Sequence, residues 1–186
     1  MINKISVFLS DGIGAKLNSS DNEKEVYIYS IEVLLSLLIN LLILFSVSYI
    51  LNKKLELLIF IIFFSGLRTF AGGYHAKTHA ECIVLSLSIF VISAMSGTYL
   101  KQFGEIILVS GVIFSIFMVF WRAPSETENK PLSRKERKKY KTISRVIVTV
   151  LSLAAVTLYY ARVKTDYIYI TAVVAMSIES VSLLKK

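Results

Sequence analysis

Six long apolar runs set close together restrict this sequence more than any other feature. Runs of this kind are read as membrane helices, because in lipid the backbone must satisfy its own hydrogen bonds. The first, Tyr27 to Ile50, holds no charge except Glu32 in its first turns. The second, Leu55 to Leu67, is shorter, about half to two-thirds of the roughly 20 residues a straight span needs, and runs directly into Arg68. The others cover Ile83 to Leu100, Glu105 to Trp121, Val146 to Ala161 and Tyr167 to Leu184. Asn52 to Lys54 and Lys101 to Gly104 remain as tight turns. With 55% hydrophobic residues, the chain exceeds the roughly 45–50% of soluble domains, and its 186 residues leave little length for a soluble module. The expected fold is all-α: a polytopic integral membrane protein of about six transmembrane or re-entrant helices, forming one domain over 1–186.

Residues 1–20 read as an amphipathic surface helix. Ile2, Ile5, Leu9, Ile13 and Leu17 recur at helical spacing, with Lys4, Asp11 and Lys16 between them. A helix packed on the protein's own soluble face would carry the same pattern. The segment lacks the apolar core and small-residue cleavage site of a secretory signal. The one long polar connection, Arg122 to Arg145, contains Pro124 and Pro131, both prolines of the chain, and so starts as a non-helical loop. It carries nine basic residues against three acidic ones. Such an excess marks the cytoplasmic side. With six spans, the N-terminus, residues 68–82 and Lys185-Lys186 fall on that side too. Lys53-Lys54, on the opposite side, is a mild departure. A re-entrant Leu55–Leu67 would reduce the spans to five and move one terminus across.

The chemistry concentrates in GGYHAKTHAEC, residues 72–82, which holds both histidines and the only cysteine. A thiol beside an imidazole suggests a nucleophile and its base. On a continuous helix His75, His79 and Cys82 would share one face, with His75 and Cys82 roughly 10 Å apart along the axis. That exceeds the reach of about 2.6–3.2 Å between base and nucleophile. Either the chain turns between them, which Gly72-Gly73 makes easy, or His79 is the base. A helix starting near Thr78 would put Cys82 in its first turns, where the dipole favours negative charge. Read blandly, a lone cysteine in a membrane helix is a small packing residue. Three ligands on one face could hold zinc, but neither HExxH nor paired CxxC supports it, and no metal or cofactor is expected. Arg68 beside an apolar run and Glu179 inside one are costly unless paired or turned to the bundle interior. The basic connection reads as a topology signal with affinity for anionic lipid, or as a holder of an acidic peptide. No nucleic-acid partner is expected.

Arg68, Gly73, His75, Ala76 and Cys82, followed by APSETENKPLSRKERKKYK from Ala123 to Lys141, resemble the accessory gene regulator B family. Those proteins are integral-membrane cysteine endopeptidases of Gram-positive quorum-sensing systems. The resemblance covers nearly the whole chain, and the joint order of the Arg, the Gly-x-His-x6-Cys segment and the AP…NKPL connection makes it specific. It implies that His75 is the base, since the family pattern uses the histidine seven before the cysteine, and that His79 has no inherited role. It further implies that Cys82 removes the C-terminal part of a precursor peptide and that the acyl-enzyme is released by ring closure to a thiolactone or lactone. Arg68, Gly72 and Gly73 would support the site from the cytoplasmic side. The implied substrate combines an amphipathic N-terminal helix with an acidic tail, for which Lys130, Arg134, Lys135, Arg137, Lys138 and Lys139 are the electrostatic partners. A homodimer in the cell membrane is implied as well, although no GxxxG-type interface stands out. The rival from another class is a peptide exporter or channel without peptidase activity, lined by Glu179, Arg68 and the histidines.

Overall fold

The structure, a computed structural model, describes residues 2–17, 20–74, 76, 78–125, 132–161 and 167–184. Among the described residues every regular element is helical. The chain divides into two compact units, residues 1–46 and 47–186.

In the first unit, α1 (Ile2–Leu17) is followed by the greater part of α2 (Asp21–Ile50). The inward side of α1 is polar: Ser6 and Ser10 are buried, and the Ser10 hydroxyl donates to the Lys24 carbonyl at 3.1 Å. Ile5, Phe8, Leu9 and Ile13 face outward. The apolar stripe read from the sequence is therefore not spent on the unit's own core. Glu32, the one charge in the first run, accepts a 2.7 Å hydrogen bond from the Asn3 amide. Leu34, Leu37, Leu38, Leu42 and Phe45 of α2 are likewise exposed, an arrangement suited to lipid and not to water.

In the second unit the last helix is the core. Helix α8 (Ile168–Ser182) buries ten of its fifteen residues and packs against every other long helix of the unit. Thr171, Ala172, Ala175, Ser177 and Ser180 keep it slim, as close helix approach in a membrane requires. Around it stand α5 (His79–Tyr99), α6 (Gly104–Arg122, entered through a 3₁₀ turn at Lys101–Phe103), α7 (Arg134–Tyr160) and a composite helix. The composite runs from α3 (Lys54–Phe60) through a π-helical turn, Ile61–Ser65, into α4 (Gly66–Ala71). α3 neighbours α5, α4 neighbours α7, and α7 neighbours α6. Phe60, stacked on Phe64 with centroids 5.0 Å apart and tilted against Phe90 at 5.5 Å, anchors the composite.

Among the described residues four helices are long and apolar enough to cross a membrane: Asn22–Ile50, His79–Tyr99, Lys101–Arg122 and Arg134–Tyr160. They correspond to the first, third, fourth and fifth apolar runs. The sixth run is the shorter α8, and the second is the composite helix, which continues four residues beyond Leu67. The polar connection differs more from its expected form. Residues 123–125 are non-helical, but the chain is helical again from Arg134, so the basic stretch Arg134–Lys141 forms the opening turns of α7. The cause is local. Ser133 caps the helix, its hydroxyl accepting from the Glu136 amide at 3.3 Å while the Glu136 carboxylate accepts from the Ser133 amide at 3.0 Å. This reciprocal capping box satisfies two otherwise orphaned donors.

Candidate active site

The site is built where α4 ends and α5 begins. Helix α4 stops at Ala71 because Gly72 and Gly73 both take positive φ, 76° and 133°. Gly72, at ψ −149°, sits in a region open essentially to glycine alone. The stop is also crowded. A Cβ on Gly72 would meet the Ser125 carbonyl oxygen, and one on Gly73 would lie 2.8 Å from Glu179 Oε1 and strike the Ser182 hydroxyl. The Ser125 amide donates to the Ala71 carbonyl at 2.8 Å, so the segment after Pro124 crosses directly over the glycine turn. Two motifs some fifty residues apart in sequence thus form one surface.

Arg68 occupies the centre of this arrangement. Its Nη1 donates to Glu179 Oε2 at 3.1 Å, its Nη2 donates to the Tyr74 carbonyl, and its guanidinium lies 5.5 Å from the Phe64 ring centroid. Glu179 is fully buried, whereas the Arg68 side chain keeps 21% of its exposure. The two charges that are costly beside or inside apolar runs are each other's partners. Breaking such a buried pair from one side costs about 3–5 kcal/mol, because the other charge is left uncompensated. Sequence reasoning flagged both residues but did not join them; two lone opposite charges in otherwise apolar helices are the signal that could have done so.

Helix α5 begins at His79, capped by Thr78, whose hydroxyl accepts from the Glu81 amide at 3.2 Å. The Cys82 amide donates the first intrahelical bond, to the Thr78 carbonyl at 3.1 Å. Cys82 therefore stands in the first turns of α5, half-buried and as a free thiol. His79, one turn earlier, is exposed. No continuous helix runs from the glycines to Cys82: residues 72–74, 76 and 78 are non-helical. His75, Lys130, Pro131 and Lys185-Lys186 lie outside the described residues. Tyr74 and Ala76, the neighbours of His75 in the chain, line a cleft of about 500 Å³ with Ala80, Glu81, Val84, Leu85 and Ser88 of α5. The described residues hold no cluster of His, Cys, Asp or Glu fit for a metal ion.

The basic residues Arg134, Lys135, Arg137, Lys138 and Lys139 are all exposed on the first turns of α7. Their helix is fixed to α4 by Ser144, whose hydroxyl donates to the Phe70 carbonyl at 2.8 Å, and by the Tyr140 ring 6.4 Å from that of Phe70. The glycine turn, the start of α5 and the basic turns of α7 accordingly belong to one end of the bundle. Gly73→Ala tests the packing. The expected loss is about 1–3 kcal/mol of stability, seen as a thermal midpoint lowered by several degrees; an unchanged midpoint would contradict the close approach of Glu179 and Ser182.

Comparison with known proteins agrees with this architecture of motifs. Residues 3–183 match the model of the family described as accessory gene regulator B. A putative AgrB-like protein of Clostridium perfringens strain SM101 is 31% identical over 170 residues, covering 86% of this chain and 79% of the relative. A putative AgrB-like protein of Listeria innocua is 26% identical over 164 residues, covering 84% and 80%. The accessory gene regulator protein B of Staphylococcus aureus strain MW2 is 25% identical over 134 residues, covering 72% and 70%. No solved structure matches. With a family match that runs from the first helix to the last, the chain belongs to the accessory gene regulator B family.

Proposed function

We propose that this protein is a membrane-embedded cysteine endopeptidase that trims a quorum-sensing precursor peptide and promotes its cyclisation. The observation that carries the reading is the position of the only cysteine. Cys82 is half-buried in the first turns of α5, seven residues after His75 in the chain, and the Tyr74 carbonyl just before His75 is held by Arg68.

In the proposed reaction His75 takes the Cys82 thiol proton as the sulfur attacks the scissile carbonyl carbon. The C–N bond breaks, His75 returns the proton to the leaving amine, and the C-terminal fragment departs. The N-terminal fragment remains as a thioester on Cys82. A cysteine thiol of the precursor, or a serine hydroxyl, then attacks that thioester, forming the ring and restoring the Cys82 thiol. Exchange of one thioester for another is nearly neutral in free energy, so the ring-closing step needs no ATP provided water is kept from the intermediate. The cleft beside α5 is a fitting seat for the peptide near the scissile bond. Backbone amides of the glycine turn are candidate donors to the developing oxyanion. The acidic tail of the precursor would rest on Arg134, Lys135, Arg137, Lys138 and Lys139, with Lys130 in the preceding connection. We place the site on the cytoplasmic face of the cell membrane and expect a homodimer forming one peptidase domain per chain.

The test uses the protein in liposomes with a precursor peptide, followed by mass spectrometry. A covalent adduct with the mass of the N-terminal fragment, bound to Cys82 and released by hydroxylamine, is expected in the wild type. His79→Ala should retain cleavage within about threefold, since a general base contributes typically 10²–10⁴-fold. Loss of cleavage on that order in His79→Ala would move the base to His79.

A further inference from the structure

We propose that Glu179 is a positioning residue for the peptidase reaction: from the core helix α8 it orients the Arg68 guanidinium, which in turn holds the Tyr74 carbonyl and so fixes the peptide that leads into His75. The inference rests on the cysteine-peptidase reading. Its basis is the division of labour around Arg68. One arm of the guanidinium meets a carboxylate with no solvent exposure on the most buried helix of the unit. The other meets not a second core group but the backbone of the non-helical segment. A guanidinium is planar and rigid, so an anchor on one arm sets the direction of the other. Glu179 also touches the segment from below, since Gly73 passes so close to Oε1 that only a hydrogen fits between them. The carboxylate is the only charge in α8, a helix otherwise suited by composition to pure apolar packing. A pair needed only for packing would join two helices. This one joins α4 to α8 and, through the second arm of Arg68, also reaches the turn that precedes the proposed base.

Glu179 would thus act on the chemical step and leave peptide capture by α7 alone. Glu179→Gln, assayed in liposomes with the precursor peptide, is expected to lower kcat at least about tenfold, because an error of the order of 1 Å in a reacting group costs up to about 100-fold. KM should stay within about twofold. Rates are counted per Cys82 thiol that reacts with an alkylating reagent, so a variant that merely folds poorly loses reactive sites and not kcat. The second arm is a double-mutant cycle with Arg68→Gln. If Glu179 works through Arg68, adding Glu179→Gln to Arg68→Gln slows kcat no further. Should Glu179→Gln not accumulate as folded protein, Glu179→Asp, which retracts the carboxylate by one methylene, carries the same prediction. A folded Glu179 variant with kcat within twofold of wild type, or effects that multiply in the double mutant, would overturn the proposal. Cys82→Ala, run alongside, separates the two failures: cleavage surviving there sinks the peptidase reading, whereas an inactive Cys82→Ala with a normal Glu179→Gln sinks only the positioning role.

Discussion

Cys82→Ala is expected to abolish precursor cleavage, by at least about 10³-fold, because deleting a nucleophile removes the step on which the other groups act. Folding should survive the change. Cys82 is half-buried and its described hydrogen bond is made by its backbone amide, which alanine retains. The thermal midpoint is therefore expected within a few degrees of wild type, and the capping of α5 by Thr78 stays in place. Cys82→Ser is the sharper control. It keeps the side-chain shape nearly unchanged but replaces a thiol by a hydroxyl that ionises far less readily, so cleavage should fall almost as far. An exporter lined by Arg68, Glu179 and the histidines would tolerate both substitutions. Cleavage that persists in Cys82→Ala, read by mass spectrometry of the peptide products, ends the peptidase reading.

The sequence showed the helices plainly and their pairing hardly at all. Tyr27–Ile50 and Glu105–Trp121 lie within observed helices, and Ile83–Leu100 and Val146–Ala161 overrun theirs by a single residue, since a long uncharged run has few alternatives in lipid. That α8 forms the core could not be read from its hydropathy, because burial in protein and exposure to lipid select the same apolar residues; only its small side chains hint at it. The second run was underestimated for an electrostatic reason. Arg68 ends the apolar pattern, but the helix continues to Ala71, with that charge paired to Glu179 from 111 positions away. The glycine turn was legible, as two adjacent glycines before a polar stretch leave little else to expect. Its crossing by Ser125 was not, since a backbone contact between distant segments leaves no residue-type signature. The helical start of α7 was legible in principle. Ser133 and Glu136 spell a capping box, but Pro124 and Pro131 point to a loop.

Reversing four of the basic residues on that helix, Arg134, Lys135, Lys138 and Lys139 to Glu, is expected to lower kcat/KM for the precursor by about 10–100-fold, mostly through KM. The estimate takes each exposed ion pair as worth about 0.2–1 kcal/mol and counts the repulsion that replaces it. The native arrangement itself suggests a partner. Cations in the first turns of a helix face the positive end of its dipole, and like charges four residues apart repel. Residues 134 and 138, and 135 and 139, are such pairs, all exposed on α7. They reduce the stability of the helix they sit on, which only an external anion or a topological role offsets. For the same reason the reversal should not melt α7: acidic side chains suit its N-terminal turns, and Ser133, Glu136 and Ser144, which cap and anchor it, are untouched. Two controls separate the roles. Raising ionic strength from about 0.1 to 1 M shrinks the screening length from about 10 to 3 Å, so wild-type KM should climb towards that of the variant. A precursor shortened to remove its acidic residues should be cleaved by both proteins equally, with little response to salt. If wild type and variant process the full precursor alike at every ionic strength, with the orientation of α7 confirmed by protease protection, the basic turns serve only to fix topology and the acidic tail is gripped elsewhere.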